Sequence, residues 1–157
     1  MIYGEPGQKS KDKESNSHLK AKIRVAKLVD DYLSSRVDQY IVEYEHKFPE
    51  IITALGPREY IADIFVQTIS NNKSRFLDIE LDGKLGHWTK INRLKDNVRD
   101  FSLDTILSCP VARLNTYWVS GYFPKMKSKY PRKKIAALSD EEIYGELKLE
   151  KLLLEST

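Results

Sequence analysis

The sequence predicts a mostly α-helical protein, a single-domain bundle of five to seven helices with a flexible basic N-terminal arm. Apolar residues recur every three or four positions over most of the chain, the spacing that lines up one face of a helix. Proline and glycine separate these segments, as expected at helix ends. The length of 157 residues and the hydrophobic fraction of 41% suit one domain with its own core.

The N-terminal segment differs from the rest in composition. Residues 1–17 are polar, rich in Gly, Pro, Ser and Lys, and nearly free of apolar side chains. Such a segment buries too little surface to offset the entropy lost on ordering. We therefore expect a flexible arm over 1–17 and a single helical domain over 18–157.

Composition also bears on localisation. Cys109 is the only cysteine, so a disulfide within the chain is excluded, which is typical of a reducing compartment. No apolar run approaches the roughly 18 residues that span a bilayer. We expect a cytoplasmic protein without a membrane partner, located in the host cytoplasm if the protein is viral. No motif in the sequence requires a cofactor.

The first half of the chain is interpreted as a series of helices. A long helix is predicted over 17–46, with Ser17 as its N-cap. A short helical segment over 49–55 follows, and a further helix begins at Pro57 and ends at Asn71-Asn72. Residues 75–81 fit either a helix or a strand, because period alone does not decide so short an apolar run.

The stretch 81–101 is where we expect the working surface. Its apolar residues at helical spacing predict a helix with a buried face, which holds Leu85, Trp88, Ile91, Leu94, Val98 and Phe101. The opposite face carries cations and amides that are available to a partner.

The C-terminal third is also interpreted as helical. Helices are predicted from Ser102 or Asp104 to Cys109 and from Pro110 to Tyr122. Ser139 with a glutamate three residues later forms a capping-box signature before the last, leucine-rich helix.

Two basic surfaces predict binding to nucleic acid, DNA in the first place. One is the loop 125–134, which combines an aromatic residue with six cations: Tyr130, Lys125, Lys127, Lys129, Arg132, Lys133 and Lys134. The other lies within 81–101 and comprises Trp88, Lys90, Asn92, Arg93, Lys95 and Arg99. Clustered cations bind phosphates by releasing counterions, and neighbouring aromatic rings suit unstacked bases. The alternatives are a solvated loop and a core-packed Trp88.

Known catalytic motifs are missing, and the sequence assigns no catalytic residue and no metal ligand. There is no phosphate-binding loop, no CxxC and no GxSxG. The enzymatic alternative is a metal-dependent nuclease with a D…(D/E)xK core. Its residues would be the acidic side chains and the lysine of one short stretch, with one more aspartate as a further ligand: Asp78, Glu80, Asp82, Lys84 and Asp63. The turn signal Asp82-Gly83 weighs against it, so we expect no magnesium-dependent cleavage.

Residues 59–101 resemble the core helices of sigma-70-type region 2, as in small phage sigma factors. The segments that carry the resemblance are EYIADIFVQTI as a first helix and GKLGHWTKINRLKDNVRDF as a second. The resemblance implies that Glu59, Asp63 and Gln67 face RNA polymerase and that the second helix faces promoter DNA. The C-terminal LEKLLLE resembles the hydrophobic-acidic tail by which some phage sigma factors grip a sliding clamp, which implies partner-binding roles for Leu152, Leu153 and Leu154.

The sequence therefore favours a small nucleic-acid-binding protein, sigma-like or accessory to transcription, and not an enzyme. Two other functions are considered. One is a protein-interaction module, such as a virus-encoded inhibitor or an assembly subunit, and the other is the metal-dependent nuclease.

Overall fold

A five-stranded mixed β-sheet lies at the centre of the protein. The computed structural model describes residues 1–7, 16–83, 90–121 and 136–154. The described elements are, in chain order, β1 (Ile2–Tyr3), α1 (Asn16–Ser34), β2 (Gln39–Lys47), β3 (Ile51–Thr53), β4 (Gly56–Arg58), β5 (Ile61–Ser70), β6 (Lys73–Asp82), α2 (Lys90–Leu107), β7 (Val111–Asn115), α3 (Thr116–Ser120), α4 (Asp140–Leu147) and a π-helical turn (Glu150–Leu154).

The sheet has the strand order β1-β2-β5-β6-β7. Strands β2, β5 and β6 form an antiparallel meander, with Val42 opposite Val66 and Val66 opposite Leu77. β1 pairs parallel with β2, and β7 pairs parallel with β6 after the chain crosses over through α2. Strands β3 and β4 form a separate small hairpin.

The prediction of a helical bundle is wrong, because this sheet makes the protein mixed α/β. The long helix predicted over 17–46 ends at Ser34, and β2 follows it. The helix predicted from Pro57 to Asn71-Asn72 is instead the end of β4 followed by strand β5, and β5 includes most of the segment taken as the first helix of the sigma-like resemblance.

The error at β5 has a physical cause. The strand is central in the sheet, and Ile64 and Val66 pack on one face while Phe65 packs on the other. A strand covered on both faces has a continuous apolar run, and such a run also contains the spacing of a helix face. The β-branched residues of IADIFVQTIS favour a strand, and they are the signal in the sequence that distinguishes the two assignments.

The turn between β5 and β6 also differs from the prediction. Asn71 and Asn72 have φ of 52° and 61°, and Ser70 pairs with Lys73 across the turn. A two-residue hairpin loop with both central residues at positive φ is the turn that joins twisted antiparallel strands, and asparagine tolerates this conformation. Asn-Asn therefore marks a hairpin here, and the ambiguous segment 75–81 belongs to strand β6.

Smaller errors have similar causes. The predicted helical segment 49–55 contains β3 and the turn of the β3–β4 hairpin. The helix expected to begin at Pro110 is strand β7 followed by the short α3. The segment after Ser102 continues α2. The last helix begins as predicted, since Ser139 and Glu142 form both hydrogen bonds of the capping box.

Two hydrophobic clusters cover the two faces of the sheet. The larger one joins α1, α4 and the C-terminal turn to one face, with Val29, Ile79 and Leu147 fully buried in it. The smaller one places Leu103 of α2 against Phe65 on the other face. The carboxylates of β6 lie on this second face, because Asp78 and Glu80 alternate with the core residue Ile79.

Within the predicted arm 1–17, Ile2 and Tyr3 form β1, while residues 8–15 lie outside the described part of the chain. Among the described helices, none is both long and apolar enough to cross a membrane.

Candidate functional site

Two acidic residues lie where β5 and β6 stop pairing. The ladder between these strands ends at Ile64 and Ile79, so Asp63 and Glu80 are the next residues along. Beyond that pair, hydrogen bonds to side chains take the place of hydrogen bonds between the two backbones. The Asp63 N–H donates to Glu80 Oε2 at 3.1 Å, and the Leu81 N–H donates to Asp63 Oδ2 at 2.8 Å. Hydrogen bonds to these two carboxylates therefore connect the strands beyond the last backbone pair.

A third carboxylate and a guanidinium complete the group. Arg99 of α2 forms ion pairs with Asp78, at 2.7 Å from Nη2 to Oδ2, and with Glu80. Its Nη2 also donates to the Ile61 carbonyl oxygen at 3.2 Å. We call Asp63, Asp78 and Glu80 the carboxylate cluster. These contacts hold Arg99 in place. Its side chain is largely buried, so it presents little surface to a partner.

Within the described part of the chain, the acidic side chains of the carboxylate cluster outnumber the permanently charged cations that pair with them. Within the described residues, Arg99 is the one permanently charged cation that pairs with it, and His18 Nε2 lies 3.5 Å from Asp63 Oδ2. Asp78 is fully buried, and among the residues that the structure describes its Oδ1 has no hydrogen-bond partner. A buried carboxylate oxygen without a partner is costly, and such a group usually reflects a bound proton, ion or water.

The cluster responds to this excess by holding protons. Burial, with the charges of Asp78 and Asp63, raises the pKa of Glu80 well above its ordinary value. Burial also raises the pKa of Asp78 to about 7, although Arg99 opposes the shift. For Asp63 burial acts in the same direction, but hydrogen bonds from His18 and Glu80 outweigh it and lower its pKa to about 2. Neighbouring carboxyl groups with pKa values pushed apart are typical of acid–base sites.

A second ion-pair group adjoins the cluster. Arg113 of β7 binds Asp100 through two nitrogens, at 2.6 and 2.8 Å, and Asp82 at 3.0 Å. Asp96 lies 3.8 Å from the same guanidinium. A bidentate guanidinium–carboxylate pair fixes orientation as well as charge. Arg113 thereby joins the edge strand β7 to α2 and to the end of β6, and it holds Asp82 away from the carboxylate cluster.

The predicted nucleic-acid-binding residues are only partly placed by the structure. On α2, Lys90, Arg93 and Lys95 are exposed and Asn92 is half-buried. Trp88 and Lys84 lie outside the described residues, as does the whole basic loop: Lys125, Lys127, Lys129, Tyr130, Arg132, Lys133 and Lys134.

The residues expected to face a protein partner lie in three different places. Glu59 is exposed and pairs with Lys47 at 3.1 Å. Asp63 belongs to the carboxylate cluster, and Gln67 lies farther along β5. In the C-terminal turn, Leu153 is buried in the main core, where Leu152 and Leu154 pack against it.

Sequence reasoning misses the role of Arg99, which it assigns to an outer basic face. The sequence does contain a signal: the alternating acids of the segment that forms β6 are followed, after the crossover, by an arginine that could pair with them. This signal can be used only if that segment is recognised as a strand. The residues of the acidic alternative are divided by the structure, since Asp63, Asp78 and Glu80 come together while Asp82 pairs with Arg113.

Within the described ranges, no three His, Cys, Asp or Glu side chains are arranged so that they alone would hold a metal ion. Magnesium does not require three, because it keeps several waters and is usually held by one or two protein carboxylates. Comparisons of this chain with protein-family models, with curated proteins and with solved structures found no significant match.

Proposed function

We propose that this protein is a metal-dependent nuclease that hydrolyses phosphodiester bonds at the carboxylate cluster. The observation that carries the proposal is the convergence of Asp63, Asp78 and Glu80 at the point where β5 and β6 separate. Among the described residues, the buried Asp78 and Glu80 share Arg99, and the half-buried Asp63 lies beside them with His18. A divalent cation would neutralise the charge of these carboxylates in their ionised forms.

The composition of the cluster suits a hard cation. Its donors are carboxylate oxygens, which Mg²⁺ prefers, and the partnerless Oδ1 of Asp78 is a further oxygen without a proton donor. Asp63 and Glu80 would hold the cation. When bound, the cation would supply a Lewis acid for the phosphodiester and would lower the pKa of a water. Arg99 holds the ligand side chains in place and balances part of their charge.

The residues follow the D…(D/E)xK pattern in part. Asp63 supplies the first acid from one strand, and Glu80 supplies the second from its neighbour. Two residues after Glu80 the chain has Asp82 instead of lysine. Asp82-Gly83-Lys84 contains the D-x-K spacing, but the structure does not describe Lys84. Among the described residues, Arg99 provides the fixed cation of the cluster.

The substrate class follows from charge. A phosphodiester is an electrophile on which magnesium held by carboxylates commonly acts. The net charge of +3 and the basic stretch 125–134 favour a polyanionic substrate. Nucleic acid binding, predicted from the sequence, is thus part of the same proposal. The transcription-factor hypothesis has no contact in the described structure that favours it.

The test is a cleavage assay on single-stranded DNA, double-stranded DNA and RNA, with Mg²⁺ or with a chelator. We expect cleavage of at least one substrate that the chelator abolishes. The charge-removing variants Asp63→Asn and Glu80→Gln should reduce the rate by about a hundredfold or more, because each removes a ligand of the cation.

Glu59→Gln is the matched control, since Glu59 is an exposed carboxylate beside β5 that lies outside the cluster. Its rate should stay within about twofold of the unaltered protein. Absence of cleavage on all three substrates contradicts the proposal, as does cleavage that Asp63→Asn and Glu80→Gln leave unchanged.

A further inference from the structure

Helix α2 is oriented opposite to the sequence-based expectation. Its buried residues are Arg99, Ser102 and Leu103, which face the sheet. The large apolar residues of the predicted buried face instead face solvent: Ile91 is 67% exposed, Leu94 56% and Phe101 70%. The charges of the carboxylate cluster explain the orientation, because they draw Arg99, and with it the polar side of α2, onto the sheet.

These residues lie on one stripe of the helix. Ile91, Leu94 and Phe101, with the half-buried Val98 between them, follow one another at intervals of three and four residues, the spacing of a helix-pairing seam. At 100° per residue, this seam lies on the side of α2 opposite Arg99 and Leu103. Monomeric proteins rarely leave such a row of large apolar side chains uncovered.

The charges beside the stripe indicate what covers it. Lys90 and Asp104 are both exposed, and neither forms an ion pair within the described parts of the chain. They are 14 residues apart, which is two seven-residue repeats, so they lie on the same flank of the stripe. A second α2 laid antiparallel would bring Lys90 of each copy against Asp104 of the other. Asn97, midway between them, would meet its counterpart at the twofold axis.

We infer that the apolar stripe of α2 is a self-association surface, on which two copies of this chain pair through antiparallel α2 helices. A twofold interface places the same patch on both copies, and the stripe meets that requirement because it is complementary to itself in shape and in charge. Antiparallel helices also oppose their dipoles favourably. Neither argument depends on the proposed nuclease activity.

The size of the stripe bounds the strength of the pairing. Its exposed apolar surface is on the order of a few hundred Å² per copy, less than the roughly 800 Å² that each partner buries in a standard stable complex. The dimer should therefore be weak and concentration-dependent, with a Kd in the micromolar range.

Sedimentation equilibrium of the full chain over a wide concentration range tests the inference. The mass should rise from one chain to two. Leu94→Glu and Phe101→Glu should weaken association about a hundredfold or more, because each places a charge in the seam. Ile23→Glu is the control, since Ile23 is an exposed isoleucine on α1. It should leave association unchanged.

A single-chain mass at every concentration contradicts the inference, as does equal association of the stripe variants and the control.

A charge exchange tests the antiparallel arrangement. Lys90→Glu alone or Asp104→Lys alone should weaken the dimer, because like charges then meet at both ends of the seam. An equimolar mixture of these two variants should regain association as a mixed dimer, since the carboxylate introduced in one chain would face the ammonium group introduced in the other. The double variant should regain it as well. Failure of both to recover would overturn the antiparallel pairing. All these side chains are exposed, so a thermal melt should confirm an unaltered fold.

Discussion

At the scale of single residues, Asp78 is a carboxyl group whose protonation affects both stability and the proposed chemistry. It is fully buried, and its pKa of about 7 lies well above the value near 3.9 expected in the unfolded chain. The folded protein therefore binds this proton more tightly than the unfolded chain does. The stability that the proton contributes is complete below about pH 4 and is lost as pH rises through 7.

Asp78→Asn should therefore change how stability depends on pH. The variant keeps the shape of the side chain but cannot ionise, so the loss between pH 4 and pH 8 should shrink. At 1.36 kcal/mol per pKa unit, the upper limit of the change is about 4 kcal/mol. Urea denaturation of both proteins across this range, in the presence of a chelator, measures the difference. A difference in unfolding free energy that stays constant with pH would contradict the assigned ionisation.

The same scale shows what sequence reasoning can find. Asp63, Asp78 and Glu80 all belong to the nuclease alternative, because alternating acids are visible without a structure. Their convergence is not predictable while β5 is interpreted as a helix, since in that interpretation Asp63 faces outward. Arg99 is assigned to an exposed basic face from the periodicity of 81–101, although the structure pairs it with Asp78, Glu80 and, at 3.7 Å, Asp100.

At the scale of elements, the C-terminal turn is part of the core. Leu153 is buried among residues of the larger cluster, and its carbonyl oxygen accepts a hydrogen bond from Thr68 Oγ1 on β5 at 3.2 Å. A long leucine-rich segment at a chain end is compatible with either internal packing or docking on a partner. The buried side chain and the bond to the sheet favour internal packing.

Leu153→Ala should accordingly destabilise the protein by about 2–5 kcal/mol, the usual cost of deleting a buried leucine. Lys151→Ala in the same turn is exposed and should change stability by less than about 0.5 kcal/mol. Thermal denaturation compares the two variants. If Leu153→Ala melts with the unaltered protein, the turn is not part of the core and a docking role should be reconsidered.

Elements are predictable where the local signal is specific, and the predictions are wrong where only periodicity is available. The capping box at Ser139 and the helix over 90–101 are confirmed, because a capping motif or a long periodic run determines each, whereas Leu81 and Asp82 belong to β6. β5 and β2 are missed because their apolar residues serve two faces of a sheet or continue the pattern of a preceding helix. β-branched content is the signal that identifies both as strands, and the Asn71-Asn72 turn marks the end of β5.

At the scale of the whole molecule, the two faces of the sheet have different tasks. The face under α1 and α4 is apolar and forms the larger core. The face under α2 carries a smaller apolar cluster and two ion-pair groups, centred on Arg99 and Arg113. Buried ion pairs contribute little net stability compared with apolar packing, so the charged face is hard to explain by stability alone. Under the proposed function, a cation bound by the carboxylate cluster would neutralise the acidic side chains of this face.

The most direct measurement is therefore a calorimetric titration of the protein with Mg²⁺ near pH 7, in two buffers of different ionisation enthalpy. We predict saturable binding in the millimolar range or tighter, with release of protons, because a cation displaces the protons held by Asp78 and Glu80. Asp63→Asn should abolish binding, and Glu59→Gln should retain it. Absence of saturable binding, or binding that Asp63→Asn leaves intact, would contradict the assignment of the carboxylate cluster as a cation site.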